Sequence, residues 1–289
     1  MLSVLIPTYK YDVVQLVSVI HRELTNLKVS FEIICLEDGS NTQRNIQLLN
    51  FSHVFYERLP TNIGRSAIRN LLAHRASYNW LLFLDGDVIP ANQKFIETYV
   101  ANLNLGISIF CGGVLYKNRK DFVKFLRYKY GKKHEVVSLK KRINATNKYF
   151  FSSNFLVAKE VFKSIQFDEK LTQYGFEDLL FSLTLQQNNI SIHHINNPVF
   201  HLGIEDNLLF IKKTKEAIEN LAVLYNQQAV GKDDVGVLKW YFLCKSLRIH
   251  KLISRRTKYF EKKAIKSSSL LHFQLFRIGF LHQLFEQQT

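Results

Sequence analysis

Two aspartates, Asp85 and Asp87, flank a glycine directly after an apolar run in the stretch "WLLFLDGDVIP" (80–90). The apolar run predicts a buried strand, so both carboxylates lie where that strand ends. Gly86 lets the backbone bend there, and both side chains can then face one ligand. Carboxylate oxygens suit Mg²⁺ or Mn²⁺, and two of them form half a metal site that a diphosphate would complete. The alternative is an ordinary turn rich in Asp and Gly.

The stretch "TNIGRSAIRN" (61–70) combines a glycine at a predicted helix start with two arginines one turn apart. Helix-start amides near Gly64 and the guanidinium groups of Arg65 and Arg69 suit a phosphate group. The alternative is a solvated helical face.

Further carboxylates lie at Asp38, in "CLEDGS", and at Glu177 and Asp178, in the first turn of a helix predicted over 175–189. Asp38 could accept hydrogen bonds from a base or a ribose; alternatively, it begins a helix N-cap run. A carboxylate placed beside a reacting hydroxyl can take its proton as a general base. The helix dipole is expected to keep a first-turn carboxylate ionised and available, although acidic residues are common in first turns without any function.

The elements that position these residues alternate between strand and helix over the first hundred residues. Strict alternation predicts βαβ units and a parallel sheet with helices on both faces, and ligands bind outside the carboxyl ends of such strands. The polar residues there should therefore converge on one crevice: Thr8, Tyr9, Glu37, Asp38, Asp85 and Asp87. The predicted strands are 2–7, 31–38, 53–59 and 80–85, and the predicted helices are 13–24, 41–50 and 62–76.

The remainder of the chain is less regular. The pattern predicts a strand over 107–116, a basic helix followed by a mobile loop around "YGKKHE" within 117–148, a strand that turns into a helix over 149–165, and a short strand with a turn over 190–203. From 206 onward the spacing is helical throughout.

Composition limits the possible classes of protein. The chain has 289 residues, 47% of them hydrophobic, and a formal net charge of +15, which favours an anionic partner. Residues 237–289 hold 11 Lys and Arg against 2 Asp and Glu, a net charge of +9. Three widely separated cysteines form no disulfide framework and indicate a reducing cytoplasm. The N-terminus does not resemble a signal peptide, and no stretch approaches the length of a membrane span.

Five motifs occur in order: "SVLIPTYK", "LEDGS", "NIGRSAIRN", "LLFLDGD" and "GFEDLLF". Together, over residues 2 to about 203, they resemble glycosyltransferase family 2. The resemblance implies a GT-A fold of the α/β class, with a mixed, mostly parallel sheet flanked by helices. It also implies a catalytic domain over 1–205 (a nucleotide-sugar-binding half, 1–105, and an acceptor-binding half, 106–205), followed by a helical basic extension over 206–289.

The resemblance implies a role for each matching residue. Asp178 would be the general base, with Glu177 beside it. Asp87, Asp85 and His201 would engage a divalent metal (Mn²⁺ or Mg²⁺), and Ser153 and Asn154 would line the acceptor pocket. The nucleotide-sugar would contact Pro7, Thr8, Tyr9, Asp38, Asn62, Gly64, Arg65, Arg69, Asp85, Gly86 and Asp87. One departure concerns the acceptor side: Leu180 stands where many relatives carry another acidic residue.

The implied activity is inverting transfer of a sugar, typically from a UDP-sugar, to a hydroxyl of a glycan or lipid-linked acceptor in cell-surface polysaccharide assembly. A sugar-1-phosphate nucleotidyltransferase is an alternative, but it would need a glycine-rich loop after the first strand, and "IPTYKYD" has no glycine. A catalytically silent membrane scaffold is another; the presence of Asp87 and Asp178 argues against it.

The basic helices predicted over 237–256 and 270–285 interleave Trp, Tyr, Phe and Leu with Lys and Arg. Amphipathic basic helices of this kind suit an anionic membrane surface, so we expect a cytoplasmic protein bound peripherally to the inner face of the membrane. The alternative is a C-terminal lobe with a solvated basic face. No motif indicates nucleic acid as a partner.

Overall fold

The computed structural model describes residues 1–103, 105–172 and 174–287. Within them the chain forms two compact units. Unit 1 comprises Met1–Lys117, Glu135–Thr172 and Glu177–Gly203; unit 2 comprises 118–134, 174–176 and 204–287. The last two residues of the predicted extension, 288 and 289, lie outside the described residues. The domain division at 205 stays a prediction.

Unit 1 is built on two sheets. Its strands are β1 (Leu2–Thr8), β2 (Phe31–Glu37), β3 (Val54–Arg58), β4 (Trp80–Leu84), β5 (Val88–Pro90), β6 (Ile109–Cys111), β7 (Val114–Leu115), β8 (Asn154–Ala158), β9 (His193–His194) and β10 (Val199–His201). The larger sheet has the order β3-β2-β1-β4-β8-β6-β9, and the smaller has the order β5-β10-β7. In the larger sheet β8 runs antiparallel to β4 and β6, and the other neighbours are parallel. The predicted mixed, mostly parallel α/β sheet is confirmed.

Helices cover the sheet of unit 1: α1 (Val14–Leu27), α2 (Arg65–Arg75), α3 (Phe95–Ala101), α5 (Leu139–Ile143), α6 (Lys159–Ser164) and α7 (Glu177–Gln187). The strands β2 and β4 are apolar runs that are almost wholly buried, as expected for a sheet covered on both faces. Stacked rings fill one side of the core, where Phe83 of β4 packs on Phe155 of β8 at 4.7 Å.

Unit 2 is helical, as the spacing after residue 206 predicts. It contains α4 (Leu126–His134), α8 (Asn207–Asn226), α9 (Gly236–Ser246), α10 (His250–Arg255), α11 (Thr257–Ser267) and α12 (Leu270–Gln287). Within the described residues, no helix combines the length and the apolarity that crossing a bilayer requires.

Three local predictions are wrong. The helix predicted over 41–50 is only a 3₁₀ helix at Ile46–Asn50, because the side chain of Asn45 is buried and bonds the backbone of Tyr11 and Val13 instead. The mobile loop predicted around "YGKKHE" belongs to α4, where Tyr130 packs on Phe273. The strand predicted over 107–116 breaks between β6 and β7.

The break falls at Gly112 and Gly113, where a buried guanidinium takes the space beside the chain. Gly113 has φ +90°, and a Cβ there would lie 2.8 Å from the Arg142 guanidinium carbon. Arg142 donates to the carbonyls of Cys111 (3.1 Å) and Ile195 (2.9 Å). The arginine therefore ties the β6–β7 turn to the segment after β9.

Candidate active site

The carboxyl ends of β1, β2 and β4 meet at one edge of the sheet. Thr8 is paired with Glu37 in register, and the Asp38 amide donates to the Thr8 carbonyl over 2.8 Å. On the other side of β1, a Cβ at Gly86 would lie 3.3 Å from both the Pro7 carbonyl oxygen and the Thr8 hydroxyl. The structure thus brings the residues after the first, second and fourth strands together, as the alternation of elements predicts.

Asp38 fixes the loop that leads into α2. Its nearly buried carboxylate accepts hydrogen bonds from the amides of Ile63 (2.7 Å) and Gly64 (3.2 Å), and Asn62 donates to its carbonyl (3.1 Å). Burial raises the pKa of Asp38, and the two amide hydrogen bonds partly offset that effect. The alternative N-cap interpretation is wrong, because the next helical residues begin only at Ile46.

This arrangement limits the phosphate site predicted at the start of α2. The Ile63 and Gly64 amides already donate to Asp38, so they are not open to a phosphate group. Gly64, at φ +88°, holds a backbone conformation that favours glycine. Its observed role is to shape the loop against Asp38.

Arg69 is almost completely buried, at 2% exposure of its side chain, so the solvated-face interpretation is wrong for it. Its guanidinium donates to Asp85 Oδ1 over 2.7 Å and lies 3.8 Å from Glu177 Oε1. Arg65, which is half-exposed, reaches the same Glu177 oxygen at 3.4 Å. Burial raises the pKa of Asp85, but the charges of Arg69 and Arg65 outweigh it and hold that pKa below its usual value.

Asp87 and His201 come together through the smaller sheet. His201 of β10 pairs with Val88 of β5, so its Nε2 lies 3.4 Å from Asp87 Oδ2. The Tyr116 ring stacks on His201, with 5.4 Å between ring centroids. A Cβ at Gly203 would overlap the Asp87 carboxylate, so this glycine allows the chain after β10 to pass beside Asp87.

The donor set around Asp87 fits a half-site for a divalent cation. Among the described residues, no group of three or more His, Cys, Asp and Glu could hold a metal ion by itself. Asp87 and His201 are both partly exposed, and they offer carboxylate and imidazole donors. Oδ1 of Asp85 is bound by Arg69. A metal held here would therefore take its remaining ligands from a substrate such as a diphosphate.

Asp178 and Glu177 open α7, and their environments differ. Glu177 is buried beside Arg65 and Arg69. Asp178 is partly buried, accepts from the Leu179 amide (2.9 Å), and has no cation within ion-pair distance among the described residues. Burial, and after it the charge of Glu177, raises the pKa of Asp178 to about 7. Burial and Glu177 thus oppose the stabilisation expected from the helix dipole, and the pKa of Asp178 lies where a general base functions near neutral pH.

The two residues predicted to line the acceptor pocket are inside the fold. Asn154 is fully buried, and its side chain bonds Tyr99 (2.7 Å) and the carbonyls of Gly113 and Asn197 (3.0 and 2.9 Å). Contact of Asn154 with an acceptor is therefore at odds with this structure, because every polar atom of its side chain is engaged. Ser153 is nearly buried, and its carbonyl accepts from the Asp85 amide (3.2 Å).

Sequence reasoning placed Glu37 at the crevice but gave it no role. Glu37 is fully buried and accepts from the Lys10 amide (2.7 Å) and from the Ser40 hydroxyl. It therefore holds the chain next to Tyr9, which is itself exposed. Gly203 was missed, although its position two residues after His201 in "FHLG" was a usable signal.

Comparison with known proteins supports the same family. Residues 3–166 match the family described as Glycosyl transferase family 2. No curated protein matches the chain in sequence.

Among solved structures, S. aureus TarS aligns at 16% identity and a TM-score of 0.51 over 96% of this chain and 54% of its own. TarS 1–349 in complex with UDP-GlcNAc aligns at 18% identity and a TM-score of 0.50 over 100% and 92%. A Mycobacterium tuberculosis glucosyl-3-phosphoglycerate synthase in complex with Mn²⁺, UDP and glucosyl-3-phosphoglycerate aligns at 15% identity and a TM-score of 0.54 over 81% of each chain. This chain spans about half the length of TarS. At these identities the likeness concerns the fold, and the predicted GT-A class is confirmed.

Proposed function

The chain belongs to glycosyl transferase family 2, and from this premise we propose that it transfers a sugar from a UDP-sugar to a hydroxyl of a glycan or lipid-linked acceptor, with inversion at the anomeric carbon. The UDP donor is supported by the similarity in fold to proteins solved with UDP and with UDP-GlcNAc. The proposed reaction is a step in the assembly of a cell-surface polysaccharide and takes place in the cytoplasm. The three cysteines are free and buried, which fits a reducing compartment.

One observation carries the proposal: Arg69 donates to Asp85 over 2.7 Å, whereas Asp178, at the start of α7, has no cation within ion-pair distance among the described residues. The pKa of Asp85 is held below its usual value, while that of Asp178 is raised to about 7. A pair of carboxyl groups separated in this way is suited to two roles, one permanently charged and one that takes up a proton. An inverting transfer needs both.

On the donor side, we propose that the nucleoside lies at the ends of β1 and β2, against Pro7, Thr8 and Tyr9, with Asp38 and Asn62 shaping the opposite wall. Tyr9 is exposed and offers a ring for stacking. Arg69 acts from within the fold, by holding Asp85 in its charged form.

Asp87 and His201 would hold a divalent cation, with Asp85 beside them. When bound, the cation would offset the negative charge of the diphosphate leaving group. The chain itself contributes the position of these donors, because β5 and β10 pair in a fixed register and Gly203 leaves room for the Asp87 carboxylate.

On the acceptor side, Asp178 is the proposed general base. Its carboxylate would accept the proton of the attacking hydroxyl, and Glu177 would support it by keeping Arg65 and Arg69 near the start of α7. A pKa of about 7 leaves much of Asp178 ionised at neutral pH while keeping it basic enough to take the proton.

The test is release of UDP from a panel of UDP-sugars with Mn²⁺, followed by product analysis with glycan acceptors. We expect turnover with at least one UDP-sugar and its loss in Asp178→Asn. Asp168, also in unit 1, is exposed, so Asp168→Asn is the matched control and should leave turnover unchanged. If no UDP-sugar is turned over or bound, or if Asp178→Asn keeps full activity, the proposed function or the assigned base is wrong.

A further inference from the structure

Unit 2 carries nearly all of the excess positive charge of the chain. Its segments, 118–134 and from 204 onward, hold 22 Lys and Arg against 9 Asp and Glu, a net charge of +13 out of +15. Unit 1 is close to neutral. The anionic partner that the composition predicts is therefore a partner of the helical unit.

Within unit 2 the charge is most one-sided around α9 and α10. Residues 235–260 contain seven Lys and Arg and no Asp or Glu. Among the described residues, Lys239 alone of these seven forms an ion pair, with Asp233. The other six cations form no ion pair within the described residues, so their charge is available to an external partner.

The same segment exposes large apolar side chains. Six of them lie within twenty residues, each between 42 and 60% exposed: Trp240, Leu243, Leu247, Ile249, Leu252 and Tyr259. Trp240 and Leu243 of α9 and its C-cap residue Leu247 follow one another at i, i+3 and i+7, which places them on one face. The opposite face, with Val237, Tyr241 and Cys244, is already buried in unit 2.

A helix that is apolar on its inner face normally presents a polar face to water. The outer face of α9 instead combines exposed apolar side chains with Lys239, and Lys245 is exposed near the end of the helix. An indole and leucines among cations have the chemistry that partitions into the boundary between lipid headgroups and acyl chains. We propose that α9 and α10 form a lipid-binding face that docks unit 2 on an anionic bilayer, with Trp240, Leu243 and Leu247 inserted and Lys245, Arg248 and Lys251 at the headgroups.

Charge and chemistry favour an anionic bilayer over a second copy of the chain or a nucleic acid as the partner of this face. A second copy of the face would bring Lys245, Arg248 and Lys251 against the same three cations, and like charges repel. A nucleic acid would satisfy the cations and could stack on Trp240, but it offers nothing apolar to cover the leucines. The inference concerns unit 2 alone and does not depend on the proposed transfer reaction.

The test is sedimentation of the full chain with phosphatidylcholine vesicles that contain or lack phosphatidylserine. We expect binding only with phosphatidylserine, and weaker binding in high salt. The variant Lys245→Gln/Arg248→Gln/Lys251→Gln should bind on the order of 100-fold more weakly, because each cation near an anionic bilayer contributes a factor of about five. The variant Trp240→Ser/Leu243→Ser/Leu247→Ser should bind the vesicles at least about tenfold more weakly, which corresponds to losing the burial of one to two apolar side chains.

Matched controls carry equivalent changes on exposed positions of unit 1. Arg22→Gln/Lys28→Gln/Lys163→Gln removes the same charge, and Ile46→Ser/Leu49→Ser/Phe55→Ser removes similar apolar surface. Both should bind like the unmodified chain. Equal melting temperatures of all variants would show that none has unfolded.

Tryptophan fluorescence gives a second reading without changing the proposed face. In a Trp80→Phe background Trp240 is the sole tryptophan, and its emission should shift to shorter wavelength on phosphatidylserine vesicles and be quenched by brominated acyl chains. The proposal is overturned if the unmodified chain does not bind these vesicles, or if Trp240 emission stays unchanged. It is also overturned if the Trp240 triple variant binds the vesicles as tightly as the unmodified chain does. The same holds if an RNA oligomer binds the unmodified chain and the Trp240 triple variant equally well.

Discussion

Replacing Arg69 with glutamine should destabilise unit 1 far more than the same change at Arg75, six residues further along α2. Arg69 is 2% exposed, and its partner Asp85, 2.7 Å away, is 20% exposed. Breaking a buried pair leaves an uncompensated charge, which typically costs 3–5 kcal/mol. Because Asp85 keeps some access to water, we expect the free energy of unfolding to fall by about 3 kcal/mol.

Arg75→Gln is the matched control, since it is the same substitution in α2. Arg75 and its partner Glu57 are 34 and 52% exposed, and exposed pairs contribute at most about 1 kcal/mol. Urea unfolding is followed by the fluorescence of Trp80, which lies in β4 of unit 1, in a Trp240→Phe background.

The dependence on pH identifies the cause. The folded pKa of Asp85 is depressed, so the stability from its pairing with Arg69 is present above the unfolded pKa of about 4 and is lost as the pH falls through the folded pKa. The cost of Arg69→Gln should therefore be greatest at neutral pH and shrink in acid. Adding Asp85→Asn to Arg69→Gln should restore part of the loss. A cost no larger than that of Arg75→Gln, or a further loss on adding Asp85→Asn, would refute this account of the pair.

Three further predictions concern the proposed reaction. The rate of transfer should fall as the pH drops through about 7, because Asp178 must lose its proton to act as the base. A rate that is flat between pH 6 and 8 in a pH–rate profile would contradict the assignment. Asp178→Asn should reduce kcat by roughly 10²–10⁴-fold, with UDP affinity retained. Gly203→Ala places a Cβ against the Asp87 carboxylate and should weaken metal-dependent UDP binding measured by calorimetry, whereas Gly236→Ala, with nothing within 4 Å, should not. Asp87→Ala and EDTA should each abolish most UDP binding; equal affinity in either condition would exclude the metal half-site.

Most of the parallel half of the sheet was predictable from residues that are close in sequence. The apolar runs at 2–7 and 80–85 needed only local composition to be identified as buried strands, and the strand ends placed Thr8, Asp38 and Asp85 at one edge. These inferences succeed because the strands of a covered parallel sheet are uniformly apolar, which short windows detect.

What could not be predicted depends on contacts between distant residues. Nothing near Asn45 in the sequence shows that its side chain will bond the backbone at Val13 rather than begin a helix. Likewise, β8 lies antiparallel between β4 and β6, and the packing of Phe155 on Phe83 there is a tertiary contact. The buried state of Arg69 was missed for the same reason, because a periodic pattern does not show which carboxylates surround a side chain.

The same buried arginine acts on the two carboxylates that the proposed reaction uses, and distance decides the outcome at each. Arg69 donates directly to Asp85 at 2.7 Å, so its charge prevails there over the effect of burial on the pKa. It also favours the ionised form of Asp178, but without an ion pair, and there burial and the adjacent Glu177 prevail. Glu177, 3.8 Å from Arg69, takes part of the charge that would otherwise lower the pKa of its neighbour. One cation placed nearer to one carboxylate than to the other can thus leave the first always charged and the second able to exchange a proton near pH 7, which is the separation of roles that an inverting transfer requires.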